Sequence, residues 1–223
     1  MGNPMYSNLG ESARLRGDHA AAVGLYQEAL AIAREIGPRE SELIYLANLG
    51  GPLLGLRQFE AAEAELRRAL ESGSEPIFGA LSETCGLLSE ALLRQGKFEE
   101  ALSLARQAVT LAQQTENDLD LGGAWRSLGL VQAALERCSI PSGQGGRLLE
   151  AAACFSESLQ VFEKVGASGE QGRALRAWAE CELQRGRLVE ARSKLTAARR
   201  LFEQLGAASE LAATDALWAS IQA

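Results

Sequence analysis

The sequence predicts an all-α protein built from repeated helical hairpins, and three observations carry that prediction. Leu-Gly recurs at Leu9-Gly10, Leu49-Gly50 and Leu128-Gly129, with Leu88-Ser89 between, so the small members at 10, 50, 89 and 129 lie 40, 39 and 40 residues apart. A second motif keeps step with the first: Gln58-Phe59-Glu60-Ala61-Ala62, Lys97-Phe98-Glu99-Glu100-Ala101, Arg147-Leu148-Leu149-Glu150-Ala151 and Arg187-Leu188-Val189-Glu190-Ala191. The composition agrees, with only 5% aromatic residues and five prolines in 223, which favours helix and gives little to a sheet. A fixed period of a few tens of residues marks a repeat architecture.

Unit one spans about 3–38, with its turn at Arg16-Gly17-Asp18 and a helical stripe at Val23, Tyr26, Leu30 and Ala33. Unit two, 43–74, turns at Leu56-Arg57-Gln58, and Pro52 inside its first helix is expected to kink it and free the carbonyl of Asn48. Unit three, 82–115, turns at Gln95-Gly96-Lys97 and repeats the stripe at Leu102, Ala105, Val109 and Ala112. Unit four, 122–166, is longer: Gly129 to Ala151 is 22 residues where the other units have 12, which places an insertion at 137–146. That insert, with Pro141 and glycines at 143, 145 and 146, reads as a tolerated surface loop or as a loop that touches a ligand. Unit five, 172–205, turns at Arg185-Gly186-Arg187. A last helix, 208–223, reads as a cap, yet Trp218 and Ile221 make it apolar enough to offer a self-association surface. The whole of 1–223 is thus expected to be one domain of about five hairpins plus that helix.

Three sites per hairpin stay small. They are the Leu-Gly site (Gly10, Gly50, Ser89, Gly129, Ala179), the start of the second helix (Ala22, Ala62, Ala101, Ala151, Ala191) and the site seven residues on (Ala29, Ala69, Ala108, Ser158, Ala198). Small residues let paired helices approach closely, and large ones such as Leu49, Leu128 and Trp178 alternate with them. One hairpin buries too little alone, so the units must stack.

This pattern resembles the tetratricopeptide repeat (TPR) family over essentially the whole chain, most fully at Tyr6-Leu9-Gly10-Ala22-Tyr26-Ala29 and Trp125-Leu128-Gly129-Ala151-Phe155. Its period near 40 is similar to that of the extended-helix members: kinesin light chains, animal spindle-orientation adaptors, and sensor regions of bacterial signalling ATPases and transcription regulators. The resemblance implies a right-handed superhelical solenoid whose first helices line a concave peptide-binding groove. Family groove positions fall on Asn8, Glu11, Arg14, Asn48, Glu83, Glu90, Arg94, Arg126, Arg173, Arg176 and Glu180. Asn8 and Asn48 match sites where some members hold a peptide backbone, but the lysines of the carboxylate-clamp type are missing and Glu83 stands where a cation is wanted. Arg126, Arg173 and Arg176 either form an anion-attracting patch or take partners within the chain.

Other functions find no support. A net charge of −7 without a basic run argues against nucleic acid and anionic membrane partners. His19 is alone in a turn, Cys85, Cys138, Cys154 and Cys181 are scattered, and no catalytic or metal-binding constellation follows from spacing. The most apolar stretch, 43–56, is too short to span a bilayer, and no secretory leader is visible, so a cytoplasmic protein is expected. The functional expectation is a non-enzymatic scaffold without cofactor that binds a protein or peptide. The alternative is a ligand-sensing domain of a larger bacterial signalling ATPase or transcription regulator.

Overall fold

The computed structural model describes residues 4–37, 39–71, 78–138 and 150–221. Eleven helices and no strand occur among the described residues, in the order α1 Pro4–Leu15, α2 His19–Ile36, α3 Arg39–Gly55, α4 Phe59–Glu71, α5 Phe78–Arg94, α6 Phe98–Thr115, α7 Asp118–Cys138, α8 Ala151–Lys164, α9 Ser168–Gln184, α10 Leu188–Leu205 and α11 Ala208–Ala219. They form two compact units, Met1–Leu111 and Ala112–Ala223.

The turns have one chemistry. At Gly17 the Asp18 N–H donates to the Ala13 carbonyl (2.9 Å) and the Gly17 N–H to that of Arg14 (3.0 Å). The same crossed pair recurs at Arg57, Gly96, Gly166, Gly186 and Gly206, and it satisfies carbonyls that the helix end would leave open. Each such residue needs a left-handed backbone, with φ of 77° at Gly17 and 73° at Gly186. Asp18 then starts α2 by accepting from the Ala21 N–H (3.1 Å). His19 is therefore the first residue of α2 rather than part of the turn.

The first helices α3, α5, α7 and α9 begin at 39, 78, 118 and 168, each four residues before the start expected from the motif. Their opening turns are polar or lie outside the repeated pattern, as in Arg39-Glu40-Ser41-Glu42, so the apolar signal starts late. This extra turn is one source of the period near 40. Helix α3 continues through Pro52, which is buried. The insertion expected at 137–146 lies, beyond Cys138, outside the described residues.

Small residues form the seam of every hairpin. A Cβ added at Gly50 would sit 2.5 Å from Leu66 Cδ2, one at Gly122 2.5 Å from Phe162, and one at Gly172 2.7 Å from Phe202. The large residue of the second helix therefore fills the volume that glycine leaves on the first. Ser158 fits the same seam and donates its hydroxyl to the Gly122 carbonyl (2.7 Å). Within Met1–Leu111 α1 packs on α3 and α3 on α5; within Ala112–Ala223 α7 packs on α9 and α9 on α11. First helices thus make one layer within each unit, and second helices back it.

Candidate functional site

In the first unit the expected residues lie on α1, α3 and α5. Arg14 donates from Nε and Nη2 to the two oxygens of Glu11 (2.8 and 2.6 Å), a bidentate pair. Tyr26 reaches in from α2, and its hydroxyl donates to Glu11 Oε2 (3.1 Å). Burial and the Glu11 charge push that phenol well above its ordinary range, so it stays a donor. Glu83 adds to the same shift, which places its charge within reach of this cluster. Asn8 and Glu83 are exposed and Asn48 is half-buried. Glu90 and Arg94 pair loosely at 3.9 Å.

In the second unit the structure brings the three arginines together with two carboxylates that sequence reasoning passed over. Arg126 on α7 donates from Nη1 to Glu170 Oε2 on α9 (2.8 Å). Arg173 also bonds Glu170, and its Nε donates to Glu210 Oε1 on α11 (2.6 Å). Arg176 bonds Glu210 Oε2. The result is a ladder, Arg126–Glu170–Arg173–Glu210–Arg176, that ties three first helices together. Burial alone would raise both carboxyls. The arginines outweigh it and hold both below the usual carboxylate range: Arg126 and Arg173 act on Glu170, Arg176 and Arg173 on Glu210. The patch is thus internally partnered. Glu180 lies half-buried on α9.

The repeat frame carries a signal for these acids. Arg126 and Arg176 each precede a small seam residue, Gly129 or Ala179, by three positions, and Glu170 and Glu210 precede Ala179 and Ala219 by nine.

Two further polar clusters sit at hairpin turns. Glu63, with 13% of its side chain exposed, accepts from Lys97 Nζ (2.7 Å), Arg67 Nη2 (2.9 Å) and Gln95 Nε2 (2.8 Å). Burial would raise its pKa, but hydrogen bonds from Lys97, Arg67 and Gln95 lower it to about 2. In the second unit Glu136 bridges the insertion: Oε1 accepts from the Ala151 N–H (2.7 Å) and Oε2 from Arg185 Nη2 (2.6 Å). Nearby, buried Glu182 accepts from Trp178 Nε1 (3.0 Å), whose ring stacks on Phe155 with centroids 5.4 Å apart and lies 4.0 Å from Lys194 Nζ.

Among the described residues no group of three His, Cys, Asp or Glu side chains is placed to hold a metal ion, and no helix is long and apolar enough to cross a membrane. Burial pushes the thiols of Cys85 and Cys154 up to about 11, which leaves them poor nucleophiles.

Hairpins with small-residue seams, crossed-bond turns and a layer of first helices define a helical-repeat protein. Tetratricopeptide repeat family models match residues 3–73, 82–118 and 143–206. The chain belongs to the tetratricopeptide repeat family. No curated protein sequence matches it. Among solved structures it is similar to aspartyl phosphate phosphatase F from Bacillus subtilis (TM-score 0.65, 15% identity, 93% of this chain and 52% of that one). It is also similar to the Rap conjugation gene regulator of plasmid pLS20, solved in complex with the Phr* peptide (TM-score 0.66, 14% identity, 94% and 55%). A third is a putative kinesin light chain of Podosopora anserina with TPR-like repeats (TM-score 0.56, 17% identity, 92% and 99%). The chain spans about half the length of the first two. At these identities the likeness is one of fold: a TPR-like helical solenoid.

Proposed function

We propose that this chain is a non-enzymatic module that holds a peptide or protein segment along the face of its first helices, with an anionic group of the ligand near Arg126 and Arg176. The observation that carries this reading is the ladder of the second unit. Two carboxylates hold three guanidinium groups in place, so the position of the cationic groups that would meet an anionic ligand is preorganised. Helical-repeat folds supply such extended faces, and the pLS20 regulator similar to this chain was solved with a peptide bound. The proposal also takes 1–223 as a single cooperative array, which calorimetry checks as one unfolding transition; two separated transitions would contradict it.

The test is selection of acidic peptides on an array, followed by titration calorimetry of the best binder. Arg126→Gln with Arg176→Gln should weaken it at least about tenfold, or about 1.4 kcal/mol. Circular dichroism should stay helical, so loss of binding is not loss of fold. Unchanged affinity would sink the assignment.

A second reading is a ligand-sensing regulatory domain of a larger signalling protein. Its support is that the chain spans only about half of the Bacillus subtilis phosphatase and of the plasmid pLS20 gene regulator to which it is similar. A ligand-dependent rise in melting temperature across a metabolite and peptide screen would favour it, and a flat screen would count against it.

A further inference from the structure

Arg126 and Arg176 hold the same register, three positions before the small seam residues Gly129 and Ala179 of two neighbouring first helices. Those helices, α7 and α9, pack side by side. Each arginine is tied down in the same way. Arg126 donates only from Nη1, to Glu170 near the start of α9. Arg176 donates only from Nη1, to the side chain and carbonyl of Glu210 near the start of α11, and its guanidinium carbon lies 5.7 Å from the centre of the Phe202 ring. The Nε–Nη2 edge of both side chains thus has no partner among the described residues, and neither edge is buried. Elsewhere the chain spends this edge on a carboxylate: Arg14 uses Nε and Nη2 on Glu11, and Arg67 uses them on Glu63. Two parallel N–H groups match the two oxygens of a carboxylate, which a lysine cannot do.

We propose that these two open edges read a pair of acidic side chains three residues apart in the bound segment, one carboxylate on Arg126 and the other on Arg176. The proposal deepens the binding reading above and rests on it. Glu170 and Glu210 then act as anchors: each holds the Nη1 side of its arginine, so the free edge is turned the same way on both helices. The interval follows from the packing. Neighbouring helices lie about 8–10 Å apart, and equivalent positions on α7 and α9 repeat at that distance. A segment in the polyproline II conformation rises about 3.1 Å per residue and completes a turn in three, so residues i and i+3 share a side about 9 Å apart. In a fully extended strand the same-side pair i and i+2 spans only about 7 Å. The ligand class is thus a peptide with a Glu-x-x-Glu or Asp-x-x-Glu pattern rather than one with acid at any spacing.

Fluorescence anisotropy of labelled peptides against the full chain tests this. The peptides carry two glutamates in a proline- and serine-rich background, with length and total charge held constant and only the spacing varied. Glu-x-x-Glu should bind at least about tenfold more tightly than Glu-x-Glu or a more widely spaced pair. Arg126→Lys and Arg176→Lys keep the charge and lose the fork, so each should erase that preference while circular dichroism stays helical. Changing one of the two glutamates to glutamine should make one lysine variant silent and leave the other effective, since each arginine meets one acid. Acidic peptides that need Arg126 and Arg176 but ignore spacing, or that bind the lysine variants equally well, overturn this pairing and leave the binding reading standing. No binding by any acidic peptide removes both.

Discussion

Arg57 holds φ at 60° in the turn between α3 and α4, where the corresponding turns use Gly17, Gly96 and Gly186. A side chain in the left-handed region costs about 1–2 kcal/mol, and the greater freedom of glycine in the unfolded chain cancels part of any gain from replacing it. Arg57→Gly should therefore stabilise the protein by about 0.5–1 kcal/mol, read by chemical denaturation. Glu63 makes the opposite case, a side chain whose environment fits it closely. Its carboxyl titrates near 4.5 when unfolded and near 2 when folded. A depressed folded pKa gives stability that is complete above about pH 4.5 and is lost as pH falls toward 2. Glu63→Gln should remove about 2–3 kcal/mol at neutral pH and flatten the stability loss across that window. A variant with the same acid limb as the parent would contradict the Lys97–Glu63–Arg67 cluster. No sequence pattern announced this cluster, because Lys97 lies 34 positions from Glu63 and no other unit repeats the pair.

At the scale of elements, glycine separates two roles that the sequence writes with one letter. Gly50 lies under Leu66, and its missing Cβ is what lets α3 and α4 meet. Gly24 stands on the open face of α2 with no atom within 4 Å of an added Cβ. Gly50→Ala should cost about 1–3 kcal/mol through overpacking, whereas Gly24→Ala should gain about 0.5–1 kcal/mol through helix propensity. Equal effects in urea melts would remove the close-approach account of the seam. Those seam positions were readable because small residues recur at a fixed period, and so were the turns, because the αL residue falls at a fixed offset. The starts of the first helices were less readable. Their opening turns share no common residue pattern, Arg39-Glu40-Ser41-Glu42 in α3 against Phe78-Gly79-Ala80-Leu81 in α5, so the pattern begins about one turn after the helix does. The arginine–glutamate ladder sits between these cases: its residues recur in register, but that shows only when the acids of α9 and α11 are set beside the arginines one hairpin earlier.

For the molecule as a whole, the two faces of each unit do different work. The second helices supply the residues that fill the seams, such as Tyr26, Leu66, Phe155 and Phe202, and these are buried. The first helices spend only one side on those seams. Their other side carries the pairs Arg14–Glu11 and Arg94–Glu90 in one unit and the five-membered ladder in the other. Charge fixed on one face, above a core built mainly of alanine, leucine and phenylalanine, is what a binding module needs: a rigid scaffold and oriented polar groups. The most direct test is a map of backbone amide shifts in the labelled protein on titration with the acidic peptide selected as above. The account predicts changes concentrated on α7, α9 and α11 around Arg126, Arg173 and Arg176, with α8 and α10 little affected. Changes confined to α8 and α10, or none at a saturating peptide concentration, would contradict it.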